Sequence, residues 1–126
     1  MAKVTGIGGT FIRARDPEAL GEWYKKHLGV PYEGGFAKFA WKDDPDQHAQ
    51  TIWALFPADT DYFGSQTQQA MINFRVDDLD ALVTDLASAG VTISGDRYED
   101  ENGRFAWIAD PEGNRIELWE PVRRKA

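Results

Sequence analysis

The sequence predicts an α+β fold of two tandem β-α-β-β-β modules, which form a cup-shaped mixed sheet with the helices on the outside. Three observations support this fold class. The segment "TFIRARDPEALGEWYKKHLGV" (Thr10 to Val30) is echoed by "INFRVDDLDALVTDLASAGV" (Ile72 to Val91). Each copy has the pattern of a strand followed by a helix. Three short β-type runs follow each helix, so both halves have the same predicted element order.

Both predicted helices have recognisable ends. Asp16 and Asp78 stand where an N-cap carboxylate accepts bonds from first-turn amides. Gly29 and Gly90 stand where a left-handed residue ends a helix. Apolar residues at helical spacing then predict one buried stripe per helix. The stripes comprise Leu20, Trp23, Tyr24, His27 and Leu28 in the first helix, and Leu79, Leu82, Val83 and Leu86 in the second.

The remaining elements are short strands and one connection. The first half contains "VPYEGGF", "AKFAWK" and "QTIWALFP", and the second contains "VTISG", "GRFAWIA" and "RIELWEP". The polar, turn-rich stretch "ADTDYFGSQTQQ" predicts a linker between the halves. We therefore expect a single domain over 1–126, with module one at about 4–58, the linker at about 59–69 and module two at about 70–121.

The turn "DPEGN" sets the predicted register of the last hairpin, because Asp, Pro, Gly and Asn each favour a particular turn position. If Ala109 pairs with Arg115, Trp107 lies opposite Glu117. Two residues further along, Phe105 lies opposite Trp119. Strand alternation places these four side chains on the face away from the helices, while Ile108 and Ile116 take the helix side.

The same alternation extends to the other strands. Asn73 and Arg75 face away from the helices in one strand, as do Gly9, Phe11 and Arg13 in the first. In the first-half hairpin, the equivalent reasoning pairs Trp41 with Trp53 and Phe39 with Leu55, all on the non-helix face. So many aromatic side chains would promote aggregation if they faced water. They therefore predict the wall of a ligand cavity or a buried interface.

The composition of the chain limits the kinds of binding partner and the cellular location that can be expected. The formal net charge of −7 disfavours nucleic acid and would attract a small cation. The chain has no apolar run long enough for a membrane helix and no apolar signal segment, so a cytoplasmic protein is expected. The absence of cysteine excludes disulfides and thiolate metal sites. The early "GIGG" lacks the strand-before and helix-after context of a phosphate loop.

Two segments, "RARDPEALGEWYKKHLGV" and "DPEGNRIELWEP", resemble the vicinal oxygen chelate superfamily. It includes glyoxalase I, fosfomycin-resistance enzymes, extradiol dioxygenases and bleomycin-resistance proteins. The resemblance covers nearly the whole chain and implies a cup-shaped sheet, often completed by a homodimer. It also implies metal ligands at matched places in the two modules, which fall on Gly9, Trp53, Met71 and Glu117 in this sequence. Only Glu117 can bind a hard cation, and one carboxylate does not hold a catalytic divalent ion.

Other polar residues have simpler interpretations. His27 lies in the last turn of the first helix, where packing or the helix dipole accounts for it. His48 lies in a loop beside Asp43, Asp44 and Asp46, and we expect that loop to be solvated rather than to bind Ca²⁺ or Zn²⁺. Tyr98, in the acidic connection "GDRYEDENG", is a candidate to close over the cup.

Four functional hypotheses remain. The first is a metal-independent protein of the bleomycin-resistance type, whose aromatic walls bind a small apolar or aromatic ligand while Glu117 favours a cationic group. The second is an enzyme in which catalytic Glu117 transfers protons and Asn73 with Arg75 or Arg13 holds an oxyanion. The candidate ligand-binding residues are Phe11, Arg13, Phe39, Trp41, Trp53, Asn73, Arg75, Phe105, Trp107, Glu117 and Trp119.

The third hypothesis is metal-dependent lyase, isomerase or dioxygenase activity, in which a nearby acid or a symmetry mate completes a metal site around Glu117. The fourth is a structural or interaction role, in which Glu117 bonds Arg13 or Arg75. The sequence favours the first hypothesis, with a homodimer and no cofactor, because Glu117 lacks partners for a divalent metal.

Overall fold

The computed structural model describes residues 2–41 and 50–122. Within them the chain forms two helices and seven strands, which confirms the α+β class. No described helix has the length and hydropathy needed to cross a bilayer. The elements are β1 (Val4–Ala14), α1 (Pro17–Leu28), β2 (Phe36–Ala40), β3 (Gln50–Pro57), β4 (Ala70–Val76), α2 (Leu79–Ser88), β5 (Thr92–Asp100), β6 (Gly103–Ala109) and β7 (Arg115–Pro121).

The described chain divides into two compact units. The first unit comprises Gly9–Met71, and the second comprises the residues before Gly9 and those from Ile72 onward. In the first unit, β3 pairs in parallel with β1 and antiparallel with β2. In the second unit, β7 pairs in parallel with β4 and antiparallel with β6, which pairs with β5. Both units therefore contain mixed sheet, as the sequence predicts.

Both helices begin at the predicted caps. The Asp16 carboxylate accepts a bond from the Ala19 amide, and that of Asp78 accepts one from Ala81, each at 3.1 Å. The left-handed residues at the helix ends are Gly29, with φ of +69°, and Gly90, with φ of +84°. Gly90 follows the cap residue Ala89. The cap prediction is therefore confirmed at both ends of both helices.

The two helices bury their stripes differently. The α2 stripe is confirmed, because Leu79 is fully buried among strand residues and Leu82, Val83 and Leu86 pack around it. The α1 stripe is wrong in part, since Trp23 is 50% and Leu28 62% exposed. Gly21 is buried instead, and a Cβ there would overlap the ring of Tyr32. Tyr32 therefore takes the space under α1 that the predicted stripe assigned to larger helix residues.

The run "VPYEGGF" does not form a continuous strand. Among the described residues, only its last residue, Phe36, belongs to a regular strand, where it pairs with Ala54. Phe36 also forms an isolated bridge with Glu33. Gly34 and Gly35 adopt φ of +65° and +98°, so the chain reverses between the two bridged residues. This reversal leaves the first module one regular strand shorter than the second.

The two hairpin registers have opposite outcomes. The β6–β7 register is confirmed, with Trp107 facing Glu117 and Phe105 facing Trp119. The β2–β3 register is wrong, because Ala37 rather than Trp41 faces Trp53. Phe39 faces Thr51, not Leu55. The pairing is displaced by four residues, and the loop 42–49 that sets it lies outside the described residues.

The face assigned to the first-half aromatics is also wrong. The Trp53 ring lies 4.7 Å from that of Tyr24 on α1, and Leu55 packs in the cluster that includes Leu20. Phe39 shares the Trp53 side because its partner Thr51 is two residues from Trp53. The Trp41 indole donates to Thr51 Oγ1 at 2.8 Å, on that same side. Trp53, Phe39 and Trp41 thus lie on the helix side, so they do not line the non-helix face to which the sequence pattern assigned them.

Candidate functional site

Glu117 is the centre of a buried hydrogen-bonded group in the second unit. Its Oε1 accepts a bond from Nδ2 of Asn73 at 2.5 Å, and its Oε2 accepts one from Nε1 of Trp107 at 3.0 Å. Glu117 and Asn73 are each 3% exposed. An amide and an indole are neutral donors, so they stabilise a carboxylate without neutralising it. We call these three residues the Glu117 triad.

Strand pairing brings the triad together. Glu117 on β7 pairs with Asn73 on β4 and with Trp107 on β6, so three adjacent strands present one residue each to the same face. The "DPEGN" turn holds the β6–β7 register. Asp110 accepts bonds from the backbone amides of Glu112 and Asn114 and from the Asn114 side chain, each at 2.9 Å. These bonds, chiefly that from the Asn114 side chain, lower the pKa of Asp110.

Gly8 makes room for the triad, although the sequence analysis did not identify it. A Cβ at Gly8 would overlap Oδ1 of Asn73 and the ring of Trp119. Oδ1 of Asn73 is itself buried and accepts no hydrogen bond from the described residues. The signal for Gly8 was the "GIGG" stretch, whose small residues permit close approach of side chains rather than of phosphate.

A row of aromatic rings runs beside the triad on the same face. The rings of Tyr98 and Phe105 lie 6.0 Å apart, and those of Phe105 and Trp119 lie 6.4 Å apart and nearly parallel. Trp119 also donates from Nε1 to the Asn102 carbonyl at 2.8 Å. The row goes from Tyr98, which is 54% exposed, to Trp119, which is 7% exposed. We call Tyr98, Phe105 and Trp119 the aromatic row.

Two arginines, Arg75 on β4 and Arg115 on β7, share the face of the Glu117 triad. Arg75 pairs with Trp119 across β4 and β7. The guanidinium carbon of Arg115 lies 5.3 Å from the centre of the Trp107 ring, in a cation–π contact that sequence reasoning missed. The structure thus brings together Asn73, Arg75, Phe105, Trp107, Glu117 and Trp119, as the alternation pattern predicted.

Arg13 has a different environment from the one predicted for an oxyanion-binding residue. It is 5% exposed, and its guanidinium donates four hydrogen bonds to backbone carbonyls of residues 58–68. A guanidinium has five N–H donors, so at most one remains for any other acceptor. Phe11, also buried, packs its ring 5.3 Å from that of Phe56. Arg13 and Phe11 therefore belong to the packing of the first unit.

Strand pairing also corrects which residue of the first module matches Glu117 of the second, and the metal-ligand positions implied by the resemblance depended on that match. Arg13 pairs with Phe56 as Arg75 pairs with Trp119, so the counterpart of Glu117 is Ala54 rather than Trp53. The correspondence that the resemblance implied, with Trp53 matched to Glu117, was displaced by one residue. The matched pairs are Phe11–Ala54 with Asn73–Glu117, and Arg13–Phe56 with Arg75–Trp119.

This correction leaves the metal set incomplete. Ala54 has no donor atom, Gly9 has no side chain, and Met71 offers a thioether that suits soft metals. Among residues 2–41 and 50–122, no three His, Asp or Glu side chains lie together as metal ligands would. The described residues around Glu117 therefore do not fit the divalent metal of the superfamily.

His27 is exposed on α1, with its ring 5.1 Å from that of Trp23. His48 and its neighbouring aspartates lie outside the described residues.

An open depression of about 770 Å³ lies along α1 in the first unit. Its lining comes from the helix and the two residues before it, and differs from the predicted ligand-binding set. The Glu117 triad is not part of it. The described lining residues are Arg15, Asp16, Ala19, Leu20, Trp23 and Tyr24.

A family model described as a glyoxalase-like domain matches residues 9–119. The chain belongs to the glyoxalase-like family. This result confirms the resemblance to the vicinal oxygen chelate superfamily that the two sequence segments indicated. A search of curated proteins finds no match to this glyoxalase-like chain.

Solved structures with similar folds include two epimerases and a glyoxalase. Methylmalonyl-CoA epimerase from Mycobacterium tuberculosis is 26% identical, with a TM-score of 0.66 over 94% of this chain and 89% of that chain. A variant of the Streptomyces coelicolor epimerase, in complex with 2-nitronate-propionyl-CoA, is 18% identical with a TM-score of 0.72 over 98% and 100%.

The third similar structure is the Mn(II)-bound glyoxalase from Novosphingobium aromaticivorans, which is 18% identical with a TM-score of 0.61. All of this glyoxalase-like chain is covered, but only 43% of that protein. At 18% identity, the Streptomyces and Novosphingobium structures show the fold alone.

Proposed function

We propose that the protein binds a small planar ligand, aromatic or apolar, with a cationic group, on the non-helix face of the second unit. The observation that carries this proposal is the burial of Glu117 on an aromatic face, with hydrogen bonds from two neutral donors. In such an environment the attraction between a carboxylate and a cation is stronger than in water. The net charge of −7 would also draw a cation toward the protein.

The aromatic row supports a planar ligand. Aromatic faces bind flat molecules by stacking and bind cations by their quadrupole. Tyr98 is the exposed end of the row, and Phe105 connects it to Trp119 beside the triad. A ligand would therefore approach from Tyr98, with its charged group directed toward Glu117. The Streptomyces coelicolor relative, which is bound to a small molecule, supports ligand binding by this fold.

This binding function needs no metal, because Glu117 itself supplies the fixed charge. Metal-independent binding is also supported by the side chains around Glu117, because the described residues there do not provide the ligands of a divalent metal. A homodimer, which the family resemblance implies, is part of the same proposal. Light scattering on the purified protein tests it, and a mass near the 14.2 kDa of one chain would contradict it.

The binding proposal is tested by tryptophan fluorescence with probes of matched shape and different charge. The probes are 2-naphthylmethylammonium, 2-methylnaphthalene and 2-naphthoate, which share one ring system. We expect the cation to bind the wild type most tightly, and Glu117→Gln to weaken its binding about tenfold, as loss of about 1.4 kcal/mol implies. Binding of the neutral probe should change little. Glu112→Gln, at the exposed hairpin turn, is the control for loss of charge alone.

Two outcomes would refute the proposal. One is an absence of binding by every probe, and the other is equal affinity of the cation for wild type and Glu117→Gln. Thermal melts of each variant establish that the fold persists.

A second candidate is proton transfer by Glu117 on a small substrate. It is favoured by the 26% identity to methylmalonyl-CoA epimerase over 94% of this chain, together with the buried carboxylate held by Asn73. We expect a substrate-dependent rate of deuterium uptake that collapses in Glu117→Gln. Methylmalonyl-CoA is the first substrate to assay. A rate unchanged in the variant would remove Glu117 from the reaction.

A further inference from the structure

We infer that the loop over residues 58–68 fills the non-helix face of the first unit, so that, of the two units' non-helix faces as far as residues 2–41 and 50–122 form them, only that of the second accepts a ligand. The location of the ligand site, at the Glu117 triad, rests on the proposed function. The filling of the first face rests on contacts within the first unit alone. We call residues 58–68 the plug loop.

The plug loop places aromatic rings on the first unit's counterpart of the Glu117 face. Phe56 corresponds to Trp119 through the matched strand pairs. The Tyr62 ring stacks on that of Phe56 at 5.5 Å, with 5° between the planes. The Phe63 ring lies 5.3 Å from that of Phe56 and is fully buried. Two side chains of the same polypeptide therefore occupy the space where a flat ligand would stack.

Hydrogen bonds from the Arg13 side chain join the two ends of the plug loop. Nη1 of Arg13 donates to the carbonyl of Ala58 at 2.8 Å, and its Nε donates to that of Gln68 at 2.8 Å. The two ends of the loop therefore meet at one guanidinium. The same group donates to the carbonyls of Thr60 and Ser65, and its carbon lies 4.8 Å from the Phe63 ring centre. A compact loop with adjacent ends and its own packed side chains is an Ω-loop, a type that is often functional.

The two faces also differ in polarity. Where the second unit has Asn73 and Glu117, the first has Phe11 and Ala54. The first face would therefore accept an uncharged aromatic ring, while the second favours a cation. Opening the plug loop should uncover a latent site for neutral aromatics without creating a second site for cations.

Removal of the stacked ring tests this inference. Tyr62→Gly deletes a half-buried side chain, and p-cresol is the free equivalent of that side chain. We expect calorimetry to show one more equivalent of p-cresol bound by Tyr62→Gly than by the wild type. Bound p-cresol should also raise the Tm of the variant, because a ligand that binds only the native state stabilises it.

Release of the loop by a second route gives an independent test. Arg13→Gln removes the clamp, and we expect it to bind p-cresol too. Arg15→Gln, two residues further along, is the matched control, because Arg15 is exposed, and it should bind no more p-cresol than the wild type. A folded Tyr62→Gly variant that binds no more p-cresol than the wild type, or a wild type that binds two equivalents of 2-naphthylmethylammonium, would overturn the inference.

These results separate the inference from the proposed function. If the wild type binds no cationic probe but Tyr62→Gly gains one equivalent of p-cresol over the wild type, the proposed function fails and the plug loop stands. If the wild type binds one cation and Tyr62→Gly gains no site, the proposed function stands and the plug loop fails.

Discussion

The side-chain amide of Asn73 on β4 donates a hydrogen bond to the carboxylate of Glu117 on β7, joining two paired parallel strands. The two residues are 44 positions apart in the sequence, and both are buried. The bond therefore depends on the completed second unit, and it supplies one of the two neutral donors described at the carboxylate. Loss of this hydrogen bond should therefore lower the stability of the protein as well as alter the site.

Replacement of Asn73 by Ala should lower the free energy of unfolding by about 1–3 kcal/mol, because a buried carboxylate oxygen loses its donor. Urea denaturation measures this change. Asn102→Ala is the control: its side chain is exposed, and its contact with Trp119 uses the backbone carbonyl. We expect a change within about 0.5 kcal/mol for that variant. Equal effects of the two substitutions would contradict the role given to Asn73.

Gly8→Ala should destabilise the protein by about 1–3 kcal/mol, since the added methyl group would overlap Asn73 and Trp119. The near-ultraviolet circular dichroism of Trp119 should change as well. Gly95→Ala provides the matched control, because a Cβ at Gly95 meets no atom within 4 Å. That variant should be neutral or slightly more stable. A Gly8→Ala protein as stable as Gly95→Ala would show that the close approach is not required.

Arg13→Gln should open the plug loop to protease. In the wild type Phe63 is fully buried, so chymotrypsin should not cleave after it. The variant loses the donors to four backbone carbonyls, and we expect cleavage after Tyr62 or Phe63 at least tenfold faster. Mass spectrometry of the fragments measures this rate. Cleavage at the same rate in the Arg15→Gln control would contradict the specific role of Arg13.

The ion pairs of Asp80 should make stability depend on acid pH. Hydrogen bonds from the side chains of Arg97 and Arg104 lower the pKa of the Asp80 carboxyl. A carboxyl with a lowered folded-state pKa contributes stability above its unfolded pKa near 3.9, and that contribution disappears as pH falls through the folded value. The wild type should therefore have a higher Tm than Asp80→Asn at pH 6, and the two Tm values should converge as the pH falls through the lowered pKa of Asp80.

The control for this pH dependence is Asp85→Asn, an exposed aspartate on the same helix. Its Tm should run parallel to that of the wild type from pH 6 downward. A constant difference between wild type and Asp80→Asn at every pH would show that the ion pairs do not cause the effect.

The parts of the fold that were predictable are those fixed by local chemistry. The helix starts at Asp16 and Asp78 depend on bonds to amides three residues away, so a short window of sequence contains the signal. The "DPEGN" turn likewise determines the β6–β7 register within five residues. The pairing of Trp107 with Glu117, and hence half of the candidate site, follows from that turn alone.

The parts that could not be predicted depend on distant contacts. The β2–β3 register has no comparable turn signal. Its displacement by an even number of residues leaves each side chain on its face, so Phe39 and Trp41 were assigned to the wrong face for another reason: Trp53 instead of Ala54 was matched to Glu117. The role of Arg13 depends on carbonyls 45 to 55 residues away, which no local pattern encodes. The "YF" pair inside an otherwise polar stretch was the available signal that this stretch packs rather than only connects.

Arg13 makes the plug loop separable from the sheet that carries it. Because Ala58 and Gln68 bond to the same guanidinium, the chain enters and leaves the loop at nearly one point. A segment of different sequence or length could be grafted between these two positions while the ends of β3 and β4 keep their places. The loop is thus a modular insertion point, at which a new binding specificity could be introduced without redesign of the scaffold.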